Sequence, residues 1–134
     1  MAVPTRLPET QRRRRGHNFY PPKAVAARIP RLYGTEGVSL ADKVIHLHYF
    51  TGGCDWWIAE MDPETGEAFG FACLNGDRAM AEWGYTSLPE LEAVCVRKPL
   101  GVPGGSYEIV VERDCHFYSD PFRVVVPWRP TGTK

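Results

Sequence analysis

The sequence predicts an α+β fold, a single antiparallel sheet of about five to six strands in hairpin and meander order with short flanking helices. Three observations carry this reading. Residues 43–50 alternate with period two, placing Ile45, Leu47 and Tyr49 on one face and Val44, His46, His48 and Phe50 on the other. Turn chemistry then recurs at short intervals, in Gly52-Gly53, Asp62-Pro63-Glu64-Thr65-Gly66 and Asn75-Gly76-Asp77. Strands joined this tightly pair antiparallel, because a parallel pair needs a crossover of roughly a dozen residues. Third, Ser87-Leu88-Pro89-Glu90 has the makeup of a helix start, with a serine to cap free amides, a proline where no amide is needed and a glutamate to reach back.

The elements follow in order. Residues 1–20 hold Pro4, Pro8, the run Arg12-Arg13-Arg14-Arg15 and Gly16 without an apolar period, so a disordered basic arm is expected there. One domain over 21–128 follows, and then a flexible tail at 129–134. Pro21-Pro22 opens a short helix at 23–29 that Pro30 limits. Strands are expected at 43–50, 56–61, 68–74 and 82–86, a helix from Ser87 to about Val94, a loop at 98–106, and two further strands at 107–112 and 122–126.

Composition bounds the function. A chain of 134 residues with 43% hydrophobic and 12% aromatic content is too apolar to stay unfolded and fits one core. No stretch approaches the eighteen or so apolar residues of a membrane span, and the first residues lack an apolar signal core, so a cytoplasmic location is expected. Cys54, Cys73, Cys95 and Cys115 form no CxxC pair, which reads as reduced thiols in half-buried packing positions rather than a metal or redox centre. No cofactor is expected.

Net charge is zero, yet residues 1–33 carry eight Arg or Lys against Glu9 alone, while residues 55–92 carry nine carboxylates against Arg78 alone. The acidic body would repel phosphates, so any nucleic-acid contact falls to the arm, through Arg12, Arg13, Arg14 and Arg15.

Several motifs in succession resemble a known family. They are Tyr49-Phe50-Thr51, Gly53-Cys54, Trp57, Glu60-Met61-Asp62-Pro63, Phe69-Gly70, Glu82, Gly84-Tyr85, Ser87-Leu88, Glu90-Leu91-Glu92, Glu112-Arg113-Asp114 and His116-Phe117. Over residues 28–118 the chain resembles the bacterial domain of unknown function 2958 (DUF2958). The resemblance implies a small cytoplasmic accessory protein carried by plasmids, conjugative elements or phages, and it brings no catalytic residues or cofactor.

Candidate site residues are read from chemistry. His46 and His48 leave one strand face and form a candidate metal pair, with His116, Asp55 and Glu60 as further ligands. Glu112-Arg113-Asp114-Cys115-His116 gathers an acid, a base, a thiol and an imidazole, but Cys115 and His116 point to opposite faces of an extended chain and cannot pair directly. His46, His48, His116 and Asp114 are thus the catalytic candidates, and a structural network with Arg113 tying down a carboxylate or loop carbonyl is the bland alternative. Of the neighbours Trp56 and Trp57, one indole should be buried and the other nearer the surface, where it could bind a protein or stack on a base. The leading expectation is an accessory protein acting by binding, through an acidic surface with Trp56, Trp57, Glu60 and Arg113 among its contacts and a salt-sensitive hold on nucleic acid by the arm. The alternatives are a small metal-dependent hydrolase or nuclease built on the histidines, and an anti-defence protein whose carboxylates imitate DNA phosphates.

Overall fold

The computed structural model describes residues 7–128. In chain order the elements are α1 (Arg12–Arg15), α2 (Lys23–Ala26), β1 (Val44–Ile45), β2 (Leu47–Thr51), β3 (Cys54–Met61), β4 (Glu67–Cys73), β5 (Glu82–Ser87), α3 (Leu88–Ala93), β6 (Cys95–Pro99), β7 (Ser106–Val110), β8 (Glu112–Arg113), β9 (Asp120–Pro121) and α4 (Phe122–Val125). The main sheet is antiparallel, with strand order β5-β4-β3-β2-β8, and the pairs β1-β9 and β6-β7 form two small sheets beside it. The class is α+β.

The three central hairpins follow the alternation and turn signals. Tyr49 faces Trp56 and Trp56 faces Ala72 across one row, while His48, Trp57, Phe71 and Trp83 form the next. A bulge between Ile58 and Glu60 resets the register of β3, so that Glu60 lies opposite Phe69 and Met61 opposite Ala68. Gly70 is required where β4 passes β3, because a Cβ there would lie 2.1 Å from the Trp57 carbonyl oxygen.

Both faces of the sheet are buried. Leu47, Tyr49, Ile58, Met61 and Ala68 pack with Leu88 and Leu91 of α3 and with Phe19, Tyr20 and Ile29. Trp57, Ala59, Phe71 and Cys73 pack on the other side with Ile45, Phe122 and Val126. The α3 start behaves as its sequence predicts, with the Ser87 hydroxyl accepting from the Glu90 amide at 3.3 Å.

Four expectations need correction. The arm at 1–20 is docked over its described part: Arg15 is 5% exposed and Phe19 is fully buried, while residues 1–6 and the tail at 129–134 lie outside the described residues. The strand at 43–50 breaks at His46, so that Ile45 packs on one side of the sheet and Leu47 on the other. The loop expected at 98–106 begins later, because residues 95–99 pair with β7. The segment 122–126 is a helical turn, Phe122–Val125, closed by the Val126 amide donating to the Phe122 carbonyl at 2.8 Å, and Phe122 and Val126 are both fully buried in the core.

Candidate functional site

The 112–117 segment does assemble a polar centre, with histidines supplied from elsewhere. β8 lies along β2, pairing Glu112 with Phe50 and Arg113 with Tyr49. Just beyond it, Asp114 Oδ2 sits 3.3 Å from His48 Nδ1, and Asp55 Oδ1 sits 2.7 Å from His48 Nε2. The imidazole is stacked on Trp57 at 5.3 Å with a 7° interplanar angle. A neutral ring can donate to only one of these carboxylates, and a charged ring to both. Asp114 also accepts from the His116 amide at 3.0 Å, closing the turn.

On the other flank, His17 Nε2 lies 3.4 Å from Glu112 Oε1 and its Nδ1 lies 3.7 Å from Cys115 Sγ. The Asn18 carbonyl, 3.2 Å away, shares Nδ1. A thiol, an imidazole and a carboxylate stand in series, and they can activate sulfur only in the tautomer that leaves Nδ1 unprotonated, since an Nδ1–H given to the Asn18 carbonyl leaves no acceptor for the thiol proton. Sequence reasoning passed over His17 because it stood in the segment expected to be unstructured. Nothing in local spacing links it to Cys115, which is 98 residues away. Cys95 and Cys115 are exposed, so two of the four cysteines are not the packing residues expected; all four are unpaired, and Cys73 is the buried one.

The other predicted residues are scattered. His46 contacts Ser119 Oγ at 3.4 Å, away from the partners of His48; burial, helped by nearby Arg28, pushes its pKa down. The His116 residue is exposed. No three His, Cys, Asp or Glu side chains among the described residues converge as a metal would require, so the shared metal face expected of His46 and His48 does not form. The physical reason is the chain break at His46, which ends the alternation on which that face depended.

Glu60 is 3% exposed and faces inward. Its carboxylate accepts from the Tyr33 amide at 2.7 Å, from the amide and hydroxyl of Thr35, and lies 3.7 Å from Lys43 Nζ. It therefore holds the 33–35 turn, where Tyr33 has a positive φ of 67°, and is no surface contact. Trp57 is 8% exposed and Trp56 is partly buried against the opposite core. Arg113 donates from Nε to the Asn18 carbonyl at 3.2 Å.

Of the four arginines, Arg15 is spent inside the protein. Its Nη1 lies 3.2 Å from Glu92 Oε2 and 3.3 Å from Glu9 Oε1, Nη2 donates to the Glu92 carbonyl at 2.9 Å, and Nε donates to the Val111 carbonyl. Arg14 pairs with Glu108 at 2.8 Å and Arg12 donates to Asn18 at 2.8 Å. Burial pushes the Glu92 carboxyl up, but the amides of Thr10 and Gln11, the Thr10 hydroxyl and Arg15 outweigh it and hold the group below its ordinary value.

The clearest unfilled surface is the outer edge of β5. Leu88 donates to the Gly66 carbonyl at 2.9 Å. By alternation, Thr86, Gly84 and Glu82 turn their backbone groups toward β4, and Trp83, Tyr85 and Ser87 turn theirs outward. Tyr85 and Tyr33, 52% and 61% exposed, stand side by side with ring centroids 6.1 Å apart. Glu64, Glu67, Asp77, Glu82 and Glu90 are all exposed, and none makes an ion pair among the described residues.

These features define a small α+β protein with a five-stranded antiparallel sheet and an acidic open edge. The chain belongs to a family described as a protein of unknown function (DUF2958), whose model matches residues 40–125. No curated protein and no solved structure matches it. No helix among the described residues is long and apolar enough to cross a membrane.

Proposed function

We propose that the protein is a cytoplasmic accessory protein of a mobile genetic element that works by binding, taking an extended basic segment of a partner protein along β5. The carrying observation is the outward backbone of Trp83, Tyr85 and Ser87 on an edge strand whose surroundings are acidic. A partner strand would complete the ladder by main-chain hydrogen bonds, Tyr85 and Tyr33 would supply apolar contact, and the carboxylates would select lysine or arginine side chains. The mobile-element setting rests on the family resemblance alone. The arm adds little to this reading, because the Arg15 charge is neutralised inside and only Arg12, Arg13 and Arg14 remain exposed to phosphate.

The test places a photoreactive benzoylphenylalanine at position 85 of the full chain, in the cells that carry the protein, with the same group at position 118 as control. Tyr118 is 84% exposed and lies in the irregular stretch just before β9. A discrete protein adduct at 85, lost when Glu67, Glu82 and Glu90 are changed to Lys in a protein that still folds, supports strand addition. Equal labelling at 118, or an adduct indifferent to the charge reversal, overturns it.

A further inference from the structure

A cavity of about 700 Å³ lies between the 20–31 segment and the sheet. Its walls are mostly apolar and include Tyr20, Ile29 and Met61, all buried core residues. Among the described residues three cations line it as well, Lys23, Arg31 and Arg113, and no Asp or Glu does.

The state of those cations is the second observation. None of the three forms an ion pair among the described residues. Among the described residues Arg113 donates only its Nε, to the Asn18 carbonyl, and its two terminal nitrogens can serve a ligand. Arg31 lies close enough to Asp62 to influence it, but the Asp62 carboxylate is already committed to the Glu64 and Thr65 amides of its own turn. Solvated cations at the rim of an apolar cavity suit the head of an amphipathic anion, and the cavity is within the range that encloses a small organic molecule.

We infer that this cavity is a binding site for an amphipathic small-molecule anion, with an apolar body against Tyr20, Ile29 and Met61 and a carboxylate or phosphate head at Lys23, Arg31 and Arg113. Arg113 offers the planar fork that pairs with either head in a bidentate manner. The apolar body excludes water from the head and strengthens that pairing. This site does not rest on the proposed strand addition, which uses the backbone edge of β5 and the opposite charge.

Displacement of the fluorescent anion anilinonaphthalene sulfonate from the intact protein tests the inference. Octanoate and octyl phosphate should both displace it, the better of the two identifying the head group, whereas octanol and octylamine should be weaker by about tenfold or more. Lys23→Glu and Arg31→Glu, both at exposed positions, should each weaken octanoate or octyl phosphate by about three- to tenfold without changing the thermal midpoint. Ala27→Trp, which adds an indole at the cavity wall, should abolish displacement. Equal binding of octanol, equal binding of inorganic phosphate alone, or full affinity in both charge-reversed variants would each overturn the site. So would a dimer in light scattering whose dissociation by dilution is needed before the probe binds, since the cavity would then be an interface between copies.

Discussion

Arg15 and Glu92 are 77 residues apart in the chain, and the guanidinium Nη1 lies 3.2 Å from the carboxylate Oε2 with both side chains almost fully buried. The pair is embedded in hydrogen bonds to Thr10, Gln11 and the Glu92 and Val111 carbonyls. The Arg15 guanidinium also lies over the Phe19 ring at 4.8 Å, and Phe19 stacks on Tyr49 of the central sheet at 4.3 Å. A segment that has the composition of a free arm is thereby locked to the core.

Removing one charge of this pair leaves the other buried and poorly compensated. Glu92→Gln should therefore cost about 3–5 kcal/mol in urea unfolding. Arg13→Gln, at an exposed position in the same turn, should change stability by less than about 0.5 kcal/mol. Equal effects would show that the ion pair is incidental.

The same group gives a pH dependence with a definite sign. The Glu92 pKa is held below its ordinary 4.5 in the folded protein, so its stabilisation is complete above that value and is lost as pH falls through the lower folded value. Protection of the Thr10 and Gln11 amides against hydrogen exchange should persist at pH 6 and fall in the acid range below the ordinary value. Protection factors that stay level to acid unfolding would contradict the linkage.

Two exposed thiols make an internal comparison. Cys95 Sγ donates to Glu108 Oε2 at 2.9 Å, and this bond pushes its pKa up, whereas Cys115 Sγ lies 3.7 Å from His17 Nδ1 and donates to the Arg113 carbonyl at 3.5 Å, with no carboxylate partner among the described residues. At neutral pH iodoacetamide should modify Cys115 before Cys95, as read by peptide mass spectrometry. His17→Ala should slow Cys115 and leave Cys95 as it was; identical rates at both cysteines would refute the pairing.

Tyr20 buries its hydroxyl with no hydrogen-bond partner among the described residues, and burial, with the Glu92 and Glu9 charges, pushes its pKa up to about 12. Deleting an unsatisfied buried donor removes a desolvation cost. Tyr20→Phe should thus leave thermal stability unchanged or raise it by about 1 kcal/mol; a loss of that size would mean the hydroxyl is bonded.

Gly70 offers no such freedom. Because a Cβ would meet the Trp57 carbonyl oxygen at 2.1 Å, Gly70→Ala should destabilise by about 1–3 kcal/mol or more through a forced shift of β3 from β4. Gly84→Ala, with open space at its Cβ position, is the control in the same denaturant titration.

How much was legible in the sequence depended on the range of the interactions involved. β3, β4, β5 and α3 could be read because period-two alternation, Pro-Gly turn chemistry and a Ser-x-x-Glu start act within a few residues. β6 could not, since all five of its residues are exposed and carry no alternation. The valine-rich 122–126 segment reads as a strand locally, and burial of Phe122 and Val126 against the second core made it a helical turn.

The sequence by itself determined the sheet, the charge division and the concentration of chemistry at residues 112–116. The tertiary structure alone decided which histidines serve that concentration, namely His17 and His48 in place of His46 and His116. It also decided that Arg15 and Glu60 face inward and that Lys23, Arg31 and Arg113 share one cavity. The physical reason is that a charged or polar side chain bears no local mark of its distant partner. Whether its charge is solvated or buried in a pair is settled only when chain folding brings the counter-charge within a few ångströms.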